Sequence, residues 1–99
     1  MLIAISKYTK PLSEVDVYRP AHHQYIKPLF TSGKLLIAGR QNPPLGGVII
    51  AKTESIEQFK EILDNDPFTK AGVAEYKIIT LIPSFYDQIL SGLIECKHA

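Results

Sequence analysis

The chain has 99 residues, of which 45% are hydrophobic and 21% are charged, and its formal net charge is +1. These values are typical of one folded domain over residues 1–99, and they leave no room for a second one. Because the net charge is close to zero and the lysines are scattered, we expect no nucleic-acid partner. No apolar run approaches the ~20 residues that a membrane-spanning helix needs, so we expect no membrane partner either.

The cysteine content and the N-terminus favour a cytoplasmic protein. Cys96 is the only cysteine, so the chain cannot form an internal disulfide, which is typical of a reducing compartment. Residues 1–6 are too few for the apolar core of a signal peptide, and no basic segment precedes them. We expect Cys96 to be a thiol in a frayed chain end.

The first third of the chain predicts a strand and two helical segments. Residues 2–8 are apolar with few breaks, which indicates a buried strand. Ser13 is followed three residues later by an acid, as in a capping box, so a short helical turn is predicted at 13–18. Pro20 lacks an N–H and should interrupt this turn, so a second, longer helix is predicted over 20–32.

The middle of the chain predicts a β-hairpin. Gly33 is the expected glycine after the end of the helix, and residues 34–39 and 48–51 are apolar enough for strands. The connection at 41–47 is rich in proline and glycine. Two strands that flank such a loop are predicted to pair in antiparallel fashion.

The remaining segments predict helices around one more strand. Residues 53–63 form an amphipathic helix pattern in which Ser55 is the expected N-cap. Asp66 precedes a proline, which predicts the cap and first turn of a further short helix. Residues 74–82 alternate like a strand, and 84–93 have the apolar spacing of a terminal helix.

The order of these elements is βαββαβ. This order is typical of the α+β ferredoxin-like fold, with a four-stranded antiparallel sheet and helices on one face. The opposite face of the sheet then needs a cover. Two such sheets packed face to face would provide it, so we predict a homodimer.

Several short motifs, in this order and spacing, resemble the YciI-like (YCII-related) family. The resemblance covers residues 1–83 and leaves 84–99 as a C-terminal helical extension. The motifs are Arg19-Pro-Ala-His22, the segment Ser32–Gly39, Gly46-Gly47 before an apolar strand, Asp66-Pro67-Phe68, Ala71-Gly72 and Glu75-Tyr76.

The resemblance implies the dimeric α/β-barrel variant of the ferredoxin-like fold, shared with muconolactone isomerase-type enzymes. It also implies a cleft that contains a histidine–aspartate pair. Members with assigned chemistry are similar to lyases that eliminate chloride from substituted hydroxyhydroquinones, without a metal or an organic cofactor. On this basis we expect a small-molecule partner and no cofactor.

The resemblance places the histidine at His22 and its partner at Asp66. An imidazole can move a proton near neutral pH, and a carboxylate can fix its tautomer. The structural alternatives are a helix-end histidine bonded to backbone or water, and a carboxylate that only caps a helix; the two roles of Asp66 are compatible. Asp64 is a less favoured alternative. His23 lies ~100° further around the helix, so we expect it to face solvent.

Further candidates surround this pair. Arg19 could hold an anionic substrate oxygen or could form a surface salt bridge. Ser6 could line the cleft with its hydroxyl. Backbone N–H groups at Gly39, Gly46 and Gly47 could bind an oxyanion, although turn geometry with positive φ would equally explain these glycines.

Aromatic side chains could form the walls of the cleft, although core packing is their commoner role. No metal site is predicted, because the adjacent histidines 22 and 23 cannot face one ion from a regular helix. No nucleophile signature is present. The aromatic candidates are Phe68, Tyr8, Tyr25 and Tyr76.

The residues leave two function classes open. One is a cofactor-free lyase or isomerase that acts on a small cyclic or enolisable organic acid or phenol. The other is a non-catalytic small-ligand-binding or accessory protein that uses the same cleft. A hydrogen bond between His22 and Asp66 in a cleft that opens to solvent would favour the enzyme.

Overall fold

The computed structural model describes residues 1–95; Cys96 and His98 lie outside them. The elements are, in chain order, β1 Leu2–Tyr8, α1 Leu12–Thr31, β2 Leu35–Arg40, β3 Gly47–Ala51, α2 Ile56–Asp64, α3 Pro67–Lys70, β4 Ala74–Thr80, a 3₁₀ turn at Gln88–Leu90, and α4 Ser91–Glu95.

The four strands form one antiparallel sheet in the order β2-β3-β1-β4. The hairpin of β2 and β3 is present as predicted, and the hydrogen-bonded neighbours of β1 are β3 and β4. This confirms the α+β ferredoxin-like arrangement.

One face of the sheet carries the main core, against which α1 and α2 pack. Alternate residues of β1, Leu2 and Ala4, point to this face and are buried with Ile26 of α1 and Phe59 of α2. The alternate apolar side chains of β1 and the apolar faces of α1 and α2 therefore pack together in a single layer. A second, smaller cluster joins Val15 of α1 to the buried ring of α3 and to the start of β4.

The predicted interruption at Pro20 is wrong, because α1 is one continuous helix. It begins after Pro11, whose side chain makes no capping hydrogen bond, and it runs through Pro20. Val15 and Ile26 are buried on either side of this proline. Their packing anchors both halves of the helix, and this outweighs the ~3 kcal/mol cost of an internal proline. Ser13 accordingly lies inside the helix and is not its cap.

The predicted terminal helix at 84–93 is also wrong over its first four residues, and residues 88–90 form a 3₁₀ turn before α4. Residues 84–87 are not helical, and α4 begins at Ser91. Asp87 accepts a hydrogen bond from the N–H of Ile89, so helical structure starts only after it. The exposed fraction of Phe85 is 99% and that of Ile89 is 85%. No packed apolar face therefore supports a longer helix.

The other local signals agree with the structure. Ser55 caps α2 by accepting from the N–H of Gln58, and Asp66 caps α3 by accepting from the N–H of Phe68. Gly33 has a φ of +81° and follows the end of α1. Among the helices of residues 1–95, none combines the length and the apolar composition needed to cross a membrane.

Gly46 is required by a close approach of two backbone segments. A Cβ at this position would lie 1.9 Å from the carbonyl oxygen of Ser6, whereas a Cβ at Gly39 would meet nothing within 4 Å. We therefore expect Gly46→Ala to lower the free energy of unfolding by about 3 kcal/mol or more, because backbone must move to admit the methyl group. Urea denaturation followed by circular dichroism measures this.

Gly39→Ala is the matched control, since it makes the same chemical change in the same hairpin. We expect it to alter the free energy of unfolding by about 1 kcal/mol at most. Equal stability of the two variants would contradict the close approach of Gly46 and Ser6.

Candidate functional site

A pocket of about 380 Å³ lies between α1 and the core-facing side of the sheet. One face of α1 lines it, with residues spaced by three or four positions. These residues are Arg19, His22, His23, Ile26 and Phe30. His23 is exposed, as predicted, but the spacing places it at the pocket as well, which the sequence interpretation missed.

His22 lines this pocket and contacts Asp66, which is buried and does not line it. The Nδ1 atom of His22 is 2.8 Å from Oδ1 of Asp66. The side chain of His22 is 14% exposed, and Asp66 is buried with 1% exposed. The pair joins α1 to the cap of α3, over 44 positions of sequence.

Asp66 accepts hydrogen bonds from three donors. Its Oδ1 accepts from the N–H of Phe68 at 2.9 Å and faces Nδ1 of His22, and its Oδ2 accepts from the hydroxyl of Tyr76 at 2.9 Å. An ionised carboxylate only accepts, so Nδ1 of His22 is assigned the proton and Nε2 is then the unprotonated nitrogen of the neutral ring. The two predicted roles of Asp66, as a cap and as the partner of His22, occur together.

Tyr76 is a site residue that the sequence interpretation placed only among the aromatic walls. Burial raises the pKa of the Tyr76 hydroxyl above its ordinary value of 10.0, and the charge and hydrogen bond of Asp66 raise this pKa further. The hydroxyl therefore stays protonated at neutral pH and remains a donor to Asp66. No local sequence signal identifies this contact, because it depends on where β4 crosses α3.

The raised pKa of Tyr76 makes the stability of the protein fall at alkaline pH. Above pH 10 the unfolded chain releases this proton while the folded protein retains it, so the free energy of unfolding decreases as pH rises. Tyr76→Phe loses a hydrogen bond to a carboxylate, worth about 1.5–3 kcal/mol at neutral pH. We expect the stability difference between the wild type and the variant to shrink above pH 10. Urea denaturation across that range measures it, and a difference that is constant with pH would contradict the expectation.

Phe68 and Tyr8 form an aromatic wall beside the pair. The ring of Phe68 stacks on the imidazole of His22, with centroids 4.1 Å apart and an angle of 4° between the planes. Tyr8 meets Phe68 edge-on at 6.1 Å. Together with Tyr76 these rings line the pocket. Tyr25 does not, since its hydroxyl donates to the carbonyl of Ile62 and its ring packs against the core.

Arg19 lies at the pocket and is also in a salt bridge. Its Nε donates to Asp16 at 2.8 Å, and its guanidinium carbon is 5.9 Å from the ring centre of Tyr8 and 5.6 Å from that of Phe68. Partial burial alone would lower the pKa of Arg19, but the hydrogen bonds to Asp16 and Tyr8 outweigh it and raise this pKa. The cation is therefore fixed at the aromatic wall.

Ser6 and Gly47 lie at the floor of the pocket and bind each other. The N–H of Gly47 donates to Oγ of Ser6 at 2.6 Å. The side chain of Gln41, which the sequence interpretation missed, donates to the carbonyl oxygens of both residues. The predicted use of the Gly47 N–H for an oxyanion is therefore wrong, because Ser6 already occupies it.

Positive φ does not explain the hairpin glycines either. Among the described residues, glycines with positive φ occur only at Gly33 and Gly72. Asp64, the less favoured carboxylate, is exposed at the end of α2 and lines a separate surface hollow. Within residues 1–95 no group of three or more histidine, cysteine or acidic side chains could hold a metal ion.

Comparison with known proteins identifies the family and the fold. Residues 1–82 match the family described as the YCII-related domain. A solved structure with similar architecture is that of 5-chloro-2-hydroxyhydroquinone dehydrochlorinase (TftG) from Burkholderia phenoliruptrix AC1100, in complex with 2,5-dihydroxybenzoquinone. The TM-score is 0.67 at 25% sequence identity, over 85% of this chain and 96% of that chain. No curated protein is significantly similar in sequence.

Proposed function

The chain belongs to the YCII-related domain family, and we propose that it is a cofactor-free enzyme that catalyses proton transfer or elimination. Its substrate would be a small cyclic or enolisable organic acid or phenol. The similar enzyme is a dehydrochlorinase whose structure holds a dihydroxybenzoquinone. This likeness supports an elimination on a hydroxylated ring in the pocket of this chain.

The observation that carries the proposal is the contact between His22 and Asp66 at the wall of the pocket. With Nδ1 bound to Asp66, Nε2 is the nitrogen that can act on a ligand. As a general base it takes the proton of a ring hydroxyl, and the carboxylate stabilises the imidazolium that forms. In an elimination of HX from such a ring, the proton that His22 takes from the hydroxyl is delivered to the ring carbon that carries the halogen. Loss of a second hydroxyl proton to His22 then forms the quinone carbonyl as the halide leaves with the electrons of its own bond, and water takes the proton from His22.

The other predicted residues have supporting roles in this proposal. Phe68 holds the plane of the imidazole by stacking on it. Arg19 binds an anionic oxygen that develops on the substrate. Ser6 and Gly47 are small, so they leave room on the floor of the pocket for a flat ring.

The experiment is a turnover assay with 5-chloro-2-hydroxyhydroquinone as the first probe and further halogenated or hydroxylated ring acids after it. Ring absorbance and halide release are followed together. Saturable turnover with one halide released for each ring converted supports the elimination. If the rings bind in the pocket, as measured by calorimetry, but none is turned over, the chain is a ligand-binding protein and the proposal is wrong.

We also propose that the chain forms a homodimer through the face of the sheet opposite to α1 and α2. A row of isoleucines crosses all four strands on this face, paired in register as Ile37 with Ile50, Ile50 with Ile3, and Ile3 with Ile79. The exposed fraction is 57% for Ile37 and 39% for Ile79. An apolar row of this kind is typical of a surface that a second copy covers.

We expect Ile50→Lys to convert the dimer into a monomer, because it buries a charge in the centre of the apolar row. Size-exclusion chromatography with light scattering measures the mass against the 11.1 kDa of one chain. Val17→Lys, on the exposed side of α1, is the matched control and should leave the mass unchanged. A wild-type monomer, or a dimeric Ile50→Lys variant, would contradict the proposed interface.

A further inference from the structure

One row of residues crosses the floor of the pocket from β4, at one edge of the sheet, to β2, at the other edge. Tyr76 of β4 pairs with Ser6 of β1, Ser6 is hydrogen-bonded to Gly47 of β3, and Gly47 pairs with Arg40 of β2. All four residues line the pocket. The two central residues are small, and the two outer residues carry long polar side chains.

The two ends of this row differ in charge. At the β4 end Tyr76 and His22 are hydrogen-bonded to the buried carboxylate of Asp66. At the β2 end stands the guanidinium of Arg40. Three strand spacings separate the ends, which is about 14 Å between backbones. The pocket between these ends has a volume of about 380 Å³, which is enough for one small ring.

Arg40 is an exposed residue that lines the β2 end of the pocket. Within the described residues no carboxylate lies within ion-pair distance of its guanidinium, whereas Arg19 is paired with Asp16. Asp66 is buried beside His22 and does not line the pocket, and its oxygens are held by His22, Tyr76 and the backbone of Phe68. An anionic ligand at this end of the pocket would therefore pair with Arg40 without displacing a carboxylate of residues 1–95.

We infer that the substrate is a hydroxylated ring that also carries an anionic group, such as a carboxylate, and that Arg40 binds this group. This inference rests on the proposed function, because it assumes that the reacting hydroxyl lies at His22. The ring then spans Ser6 and Gly47, with its hydroxyl at the His22 end and its anion at the β2 edge. Arg40 is a specificity-determining residue in this arrangement and takes no part in the proton transfer.

The test compares two probes that differ in one charge, 2,5-dihydroxybenzoate and 2,5-dihydroxybenzamide, by isothermal titration calorimetry. We expect the wild type to bind the carboxylate at least about tenfold more tightly than the amide, as one charge-assisted hydrogen bond supports. Arg40→Gln should remove most of this ratio while the Kd of the amide stays within about twofold. High salt should also reduce the ratio in the wild type.

Lys27→Gln is the matched control, since it removes one positive charge from the exposed side of α1, away from this pocket. It should retain the wild-type ratio. Equal binding of the two probes to the wild type, or an unchanged ratio in Arg40→Gln, overturns the inference about charge and leaves the proposed function standing. Failure of both probes to bind the wild type overturns the ring-binding pocket, and with it both proposals.

Discussion

His22→Ala is expected to lower kcat by about 10²–10⁴-fold on any ring that the wild type turns over. The variant removes the group that takes the proton and leaves the pocket wider by one imidazole. Because the side chain is at the pocket wall and not in the main core, we expect the fold to persist. Substrate KM should change less than kcat, since the lost interaction is largely made in the transition state.

His23→Ala is the matched control for this variant. The two histidines are neighbours on α1 and both line the pocket, with ring centres 5.7 Å apart. The hydrogen bond to Asp66 belongs to His22. We expect His23→Ala to lower kcat by about tenfold at most. Full activity of His22→Ala, or equal losses in the two variants, would count against a specific role of His22.

Asp66→Asn is expected to lower kcat by about 10³–10⁴-fold although it hardly changes the size of the side chain. An amide nitrogen placed against Nδ1 would donate to it and move the ring proton to Nε2, so that Nε2 could no longer accept a proton from the substrate. If the amide turns the other way, its nitrogen faces the hydroxyl of Tyr76 and the ring loses the carboxylate that stabilises the imidazolium.

The same variant should also lower the free energy of unfolding by about 1–3 kcal/mol, because a buried acceptor of three hydrogen bonds is replaced by a group that accepts fewer. Steady-state kinetics and urea denaturation measure the two effects. Asp64→Asn makes the same change two residues earlier, on an exposed side chain, and should alter neither. Retained turnover in Asp66→Asn, or a comparable loss in Asp64→Asn, would contradict the assignment of the partner.

Local signals in the sequence were sufficient for the parts of the fold that local chemistry determines. The strand at 2–8, the cap at Ser55 and the cap at Asp66 agree with the structure, because each depends on neighbouring residues. The prediction at Pro20 is wrong because it considers only the local cost of a proline inside a helix. The packing of α1 on either side of Pro20 depends on tertiary contacts, which local signals do not contain.

The site shows the same division. The contact of His22 with Asp66 was expected from the family resemblance, but its third member, Tyr76, depends on strand register and could not be read from spacing. The position of Arg40 opposite Tyr76 depends on two further registers. His23 could have been found, because it lies four residues after Arg19 on one face of α1.

The central claim is that Asp66 holds His22 as the Nδ1–H tautomer, so that Nε2 is free to accept a proton. Nitrogen-15 NMR of histidine-labelled protein near neutral pH tests it directly, with the His22 signals assigned by their loss in His22→Ala. We predict that the neutral form of the ring carries its proton on Nδ1, and that the Nε2 signal shifts when 2,5-dihydroxybenzoquinone is added. A neutral ring with its proton on Nε2, or an Nε2 signal that the added ring does not move, would contradict the account.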